Sequence, residues 1–211
     1  MYAVNVTARP DKILELADVA MESGAKCLMI DVAWTMFSSI RALAEDLTTK
    51  KVPLHVHRAG HGAYTRSLDF GLSEAVVSKL CRLCGADQLH VGTVAGKFVE
   101  HIPEKQRCVD VMTKTWYDLK PTMANASAAI HPGNVEVNVA VLGKNISLTA
   151  GGGVHGHPDG ITAGALALLQ ASVAVEEEIS VPEYAKTHRE LARALETWGY
   201  IDPKQYLKTR M

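Results

Sequence analysis

Short apolar runs of strand length alternate with helical patterns along this chain, six times over and with no linker between them. The runs fall at Tyr2–Val6, Cys27–Asp31, Val52–His57, Gln88–Gly92, Thr122–Ser127 and Ile146–Ala150. Between them, Pro10 to Ser23 places Ile13, Leu16, Ala17 and Ala20 on one stripe and stops at Gly24. Ser73 is suited to cap a helix with Val76, Leu80, Leu83 and Cys84 on one face and Gly85 as its terminator. Further helices fit Ser38 to Leu47, Ile102 to Lys114, Pro132 to Leu142 and Ile161 to about Glu178. Strand and helix in strict alternation require parallel strands joined by helical crossovers, hence an α/β sheet or barrel. A closed (β/α)8 barrel needs eight such units and typically about 250 residues. With six units, the expected fold is an incomplete TIM (β/α) barrel followed by C-terminal helices.

The chain has 211 residues, 47% hydrophobic and 21% charged, enough for one globular domain with a substantial core. Beyond Ser180 two charge-rich amphipathic helices, Val181 to His188 and Arg189 to Trp198, read as an extension over residues 180–211. Its last part, Tyr200 to Met211, is expected to be a loosely held tail. A net charge of −1 argues against a general nucleic-acid binder or a basic membrane-surface protein. No apolar run reaches the roughly 18 residues of a membrane span, and no secretory signal pattern opens the chain, so a cytoplasmic location is expected. Cys81-Arg82-Leu83-Cys84 has no second Cys or His pair at zinc spacing, so these read as core cysteines.

The chemistry gathers at strand ends. In His55-Val56-His57-Arg58-Ala59-Gly60-His61, the first two histidines project to one face of a strand, and an arginine and a third histidine leave its end. The next strand closes in His90 and runs into Gly92-Thr93-Val94-Ala95-Gly96-Lys97, a glycine-flanked loop able to fold over a ligand. Imidazoles, a guanidinium and an ammonium converging on one rim describe a site for an anionic, phosphorylated substrate. His55 alone reads equally well as a buried histidine satisfied by a carbonyl. Gly151-Gly152-Gly153 follows the last strand, where such barrels often hold phosphate on backbone N–H groups. His155 and His157 beyond it read as loop-ordering residues.

These segments, with Gly151 to Gly160, resemble the large subunit of ribulose-1,5-bisphosphate carboxylase/oxygenase (RuBisCO), its archaeal form III branch best of all. The resemblance runs from about Tyr2 into the C-terminal helices and begins at the family's third barrel strand, which makes residues 1–179 the third to eighth barrel units. It implies carboxylation of ribulose 1,5-bisphosphate, with a sugar bisphosphate and CO2 as partners. Lys97 and His57 would then be catalytic: the ammonium stabilises charge developing on the CO2-derived carboxylate, and the imidazole moves protons near the reacting carbons. Arg58, His61, His90, Ser127, Gly151 and Gly152 would bind substrate, mostly through its phosphates. Ser127-Ala128-Ala129-Ile130-His131 departs from the family's Ser-Gly-Gly-Ile-His, and the added methyls put phosphate affinity there in question. Thr7-Ala8-Arg9-Pro10 and Asp31-Val32-Ala33-Trp34 echo the family only loosely and receive no role.

The resemblance also implies Mg2+, held in the family by a carbamylated lysine with an Asp and a Glu in Lys-x-Asp-Glu. This chain carries no such motif: Lys12, Lys26 and Lys50 each lack the two carboxylates. No metal ligand is therefore assigned, and the 211 residues by themselves are expected to fix no CO2. An open barrel exposes a strand edge and apolar interior, so homo-oligomerisation or association through that edge is expected. Three other readings stand beside this one: a RuBisCO-like protein or non-catalytic paralogue, favoured by Ala128-Ala129; an assembly subunit; and a metal-dependent TIM-barrel hydrolase, suggested by His55-x-His57 and His155-x-His157.

Overall fold

The structure, a computed structural model, describes residues 2–67, 69–96 and 101–210. Strands β1 (Val4–Asn5), β2 (Leu28–Asp31), β3 (Leu54–His57), β4 (Gln88–Gly92), β5 (Met123–Ala126) and β6 (Ile146–Leu148) follow one another in sequence order across one sheet. Each lies inside a run read from the sequence; β4 coincides with its run and the other five are shorter than theirs. The pairs β1–β2, β2–β3 and β3–β4 are parallel, with Asp31 beside His57 and His55 beside Gln88. Contacts divide the chain into two compact units, Met1–Val91 with Arg107–Ala124, and Gly92–Gln106 with Asn125–Met211.

In the first unit, α1 (Ile13–Glu22) buries Ile13, Ala17 and Ala20, the stripe that its spacing dictates. Helix α2 (Val32–Glu45) begins directly after β2 and is interrupted at Met36, which holds a positive φ of 59°. Its second part matches the expected Ser38–Leu47 helix; its first turn, from Val32, lies ahead of that helix. A short α3 (Gly62–Thr65) precedes α4 (Glu74–Leu83). Ser73 caps α4 as expected, its Oγ accepting from Val76 N–H. Arg82 is 3% exposed on α4 and donates to the carbonyls of Val111, Lys114, Leu119 and Lys120. One guanidinium thereby holds the segment that links α5 (Ile102–Thr113) to β5. Cys81 is fully buried and Cys84 half-buried, and burial raises both thiols, in keeping with core cysteines.

The second unit packs α6 (Val135–Leu142), α8 (Ile161–Glu176), α9 (Val181–Ala185) and α10 (Arg189–Trp198) around Val135, Ala171, Ala174, Val181, Ala185 and Leu191. Small residues on α8 permit close approach: a Cβ at Gly164 would lie 2.1 Å from Val154 O on α7 (Gly151–His155). The helices after Ser180 thus share one core with the later strand–helix units. The tail is a correction. Pro203–Lys208 form a capped helix α11, Ile201 N–H donates to Gly133 O, and Tyr206 Oη donates to Val94 O at 3.0 Å. Hydrogen bonds to carbonyls left open by the earlier turns hold a segment whose polarity alone suggested freedom.

Candidate functional site

In the first unit, β2, β3 and β4 end side by side and present Asp31, His57 and His90 along one rim. Asp31 accepts from Asn5 Nδ2, Thr7 Oγ1 and His57 Nδ1. Burial alone would raise the Asp31 carboxyl; the bonds from His57, Asn5 and Thr7 and the His57 charge outweigh it, and the net shift is downward. A carboxylate at Nδ1 fixes the orientation of the His57 ring and leaves Nε2 to exchange protons.

Behind His57 stand two further imidazoles. The rings of His55 and His57 each meet His90 edge-on, with centroids 4.7 and 4.6 Å away. His55 Nε2 contacts His90 Nε2 at 2.6 Å, and His55 Nδ1 contacts Gln88 Oε1 at 2.8 Å. An amide oxygen only accepts, so His55 carries its proton on Nδ1, its Nε2 accepts from His90 Nε2–H, and His90 Nδ1 is an acceptor. Burial, joined by the charges of His55, His57 and Arg58, pushes the His90 pKa down to about 3. His90 is a neutral imidazole at pH 7.

Arg58, His61 and His90 line one pocket together with Thr65, Glu74, Val77, Ser78 and Leu89. Of the residues expected on one rim, Arg58, His61 and His90 come together here. Arg58 Nη1 pairs with Glu74 Oε2 at 2.8 Å, both side chains being largely buried, and His61 Nδ1 bonds Thr65 Oγ1 at 2.7 Å. Asp31, Gln88 and Glu74 carry no role in the sequence reading. Two of them had a legible signal: Asp31 is the charged last residue of an apolar strand, and Gln88 is the polar first residue of another. Lys97 lies outside the described residues.

In the second unit, Ser127 follows β5 and its N–H donates to Gly92 O at 2.9 Å. The segment before Lys97 is anchored: Val94 N–H and the Thr93 hydroxyl donate to the buried Asn138 Oδ1, and Asn134 Nδ2 donates to Ala95 O. Asn134 Nδ2 also donates to Ala129 O. Ala128 and Ala129 hold φ of 77° and 61°, a left-handed backbone that glycine adopts far more cheaply. The triple glycine opens a short helix, α7, instead of forming an irregular loop. A Cβ at Gly153 would lie 2.2 Å from Ile130 O, whereas Gly151 and Gly152 face open space. Close packing requires Gly153; Gly151 and Gly152 are the exposed pair. His157 orders its loop as expected, with Nε2 on Glu190 O and Nδ1 accepting from Asp159 N–H.

The donor set does not suit a magnesium ion, which takes hard oxygen ligands. Among the described residues no three His, Cys, Asp or Glu side chains group as metal ligands, and Asp31 is already engaged by three donors. His55 engages both ring nitrogens and so offers none to the zinc-type centre of the hydrolase reading. Among the described residues no helix is long and apolar enough to cross a membrane.

Comparison with known proteins bears on the family and the fold. Residues 1–198 match the profile of the ribulose bisphosphate carboxylase large chain, catalytic domain. The chain is 36% identical over 203 residues to the ribulose bisphosphate carboxylase of Pyrococcus furiosus, covering 96% of this chain and 48% of that protein. It superposes on the octameric ribulose-1,5-bisphosphate carboxylase/oxygenase of Pyrococcus horikoshii OT3 with a TM-score of 0.87 at 33% identity, covering 94% of this chain and 48% of the other. A rubisco-like protein from Burkholderia fungorum gives 0.85 at 31% identity, covering 93% and 48%. The chain spans about half the length of the curated relatives it matches. These likenesses bear out the incomplete (β/α) barrel and the archaeal-type resemblance.

Proposed function

The chain belongs to the catalytic-domain family of the ribulose bisphosphate carboxylase large chain, and from that membership we propose that it binds a sugar bisphosphate for carboxylation of ribulose 1,5-bisphosphate. Arg58 and His61 receive one phosphate end in the pocket that the neutral His90 also lines, and Ser127, Gly151 and Gly152 receive the rest of the substrate. His57, oriented by Asp31, moves protons at the sugar, and Lys97 stabilises the charge that forms as CO2 adds. The supporting observation is that Arg58, His61 and His90 line one pocket beside the His57–Asp31 pair. In keeping with the octameric relative, the working form is a homo-oligomer.

Titration of ribulose 1,5-bisphosphate into histidine-labelled protein tests this reading. The imidazole resonances of His57, His61 and His90 are expected to shift together and to saturate. Unmoved resonances at saturating sugar would remove the proposal. A second reading, a RuBisCO-like protein acting on another phosphorylated sugar, is favoured by Ala128-Ala129 and by the Burkholderia likeness. Under it the same resonances respond to that sugar and not to ribulose 1,5-bisphosphate.

A further inference from the structure

Glu74 is the first residue of α4, directly after the Ser73 cap. An acid at that position favours the helix dipole from solvent, with no need to turn inward. Here it does turn inward. The Glu74 side chain is 14% exposed, it lines the pocket with Arg58, His61 and His90, and its Oε2 lies 2.8 Å from Arg58 Nη1. Its other oxygen, Oε1, lies 3.7 Å from His61 Nδ1. Two carboxylate oxygens thus face the two side chains expected to face phosphate oxygens.

Carboxylate and phosphate compete for a guanidinium through the same charge-assisted geometry. In the pocket as it stands, the Arg58 charge is balanced by Glu74, and between the side chains there is room for about one water molecule. A phosphate entering here meets a nearby carboxylate inside a partly dry pocket, where like charges repel far more strongly than in water. To use Arg58 Nη1 it must displace Glu74 Oε2.

We propose that Glu74 is a specificity-determining residue, an internal anion that occupies the Arg58–His61 pocket and competes with the substrate's phosphate for it. The inference rests on the reading of this pocket as a phosphate site. The pocket admits a phosphate group only as Glu74 swings out, and a sugar lacking a phosphate at that end loses little by comparison. Anion affinity at this end is therefore held down by a single side chain.

The test is titration of inorganic phosphate into the full 211-residue chain and its Glu74→Gln variant, read at the His61 and His90 imidazole resonances. Gln preserves shape and a carbonyl acceptor for Arg58 while removing the charge; Glu74→Met is the second variant should Gln disturb the fold, which circular dichroism reports. Phosphate is expected to bind the variant at least tenfold more tightly, and Arg58→Gln added to Glu74→Gln is expected to abolish the gain. Equal, measurable affinity in parent and variant overturns the competition while leaving the phosphate pocket intact. Absence of binding to either overturns the competition and the phosphate reading together.

Discussion

Gln88 and His55 face each other across β4 and β3, and the 2.8 Å contact between Gln88 Oε1 and His55 Nδ1 decides where the protons of two buried imidazoles reside. Because His55 and His90 meet Nε2 to Nε2, one ring donates and the other accepts. The amide oxygen settles the direction, one residue removed from His90 itself.

Replacing Gln88 with Leu is expected to move the His55 proton to Nε2 and reverse the bond to His90. Imidazole 15N shifts distinguish the two tautomers. The loss of a partner for a mostly buried ring should cost about 1–3 kcal/mol in urea unfolding. Gln88→Glu keeps the acceptor and should keep the parent shifts. If Gln88→Leu leaves both rings unchanged, the amide does not direct them.

Stability should fall on mild acidification. The unfolded chain takes up a proton on His90 below about pH 6.5, whereas the folded chain resists it until about pH 3, so acid favours unfolding. The loss attributable to His90 between pH 7 and pH 5 is about 2 kcal/mol. His131, also lowered by burial, acts in the same direction. Asp31 contributes only at lower pH: its lowered carboxyl stabilises the fold above the ordinary carboxylate pKa, and that share fades as pH drops beneath it. Urea unfolding of His90→Gln at both pH values should show a clearly smaller drop than the parent. An identical drop would count against a neutral His90.

Arg82→Ala should destabilise the fold by about 3–5 kcal/mol, because the carbonyls of Val111, Lys114, Leu119 and Lys120 lose their donor at once. Arg82→Lys restores the charge but not the planar fork and should recover only part of the loss. Full recovery by Lys in a denaturant titration would show that charge, and not geometry, matters at this position.

Ala128→Gly and Ala129→Gly should each stabilise the chain by about 0.5–1 kcal/mol. Relief of a left-handed alanine, about 1–2 kcal/mol, exceeds the extra freedom that glycine brings to the unfolded state. A raised urea midpoint at unchanged slope is the expected signature. The bond from Asn134 Nδ2 to Ala129 O is part of what holds the strained turn in place.

Much of the frame was legible because it depends on local rules. The six strands, the Ser73 cap and the stop at Gly85, with its φ of 96°, follow from periodicity and backbone chemistry confined to a few residues. The rim was legible for the same reason: Arg58 and His61 leave one strand and His90 lies near the end of the next. The partners of the carboxylates were not. Glu74 reaches Arg58 across a loop that carries no spacing rule, and Asp31 meets His57 only because β2 and β3 pair in that register. Arg82 sits in a helical pattern where a charge reads as surface; the carbonyls that keep it buried lie 29 to 38 residues away. The α7 helix was missed because three glycines argue against helix, and the close approach to Ile130 O that demands Gly153 is tertiary.

The hydrogen bond from Tyr206 to Val94 O joins residues 112 positions apart. During synthesis the stretch leading to Lys97 emerges long before its anchor, and the bond waits until α11 has cleared the ribosome. Translation therefore sets the order of assembly here: the turn at Val94 acquires this restraint only once the residues up to α11 have been made, and a polypeptide terminated before Tyr206 would carry that turn without it.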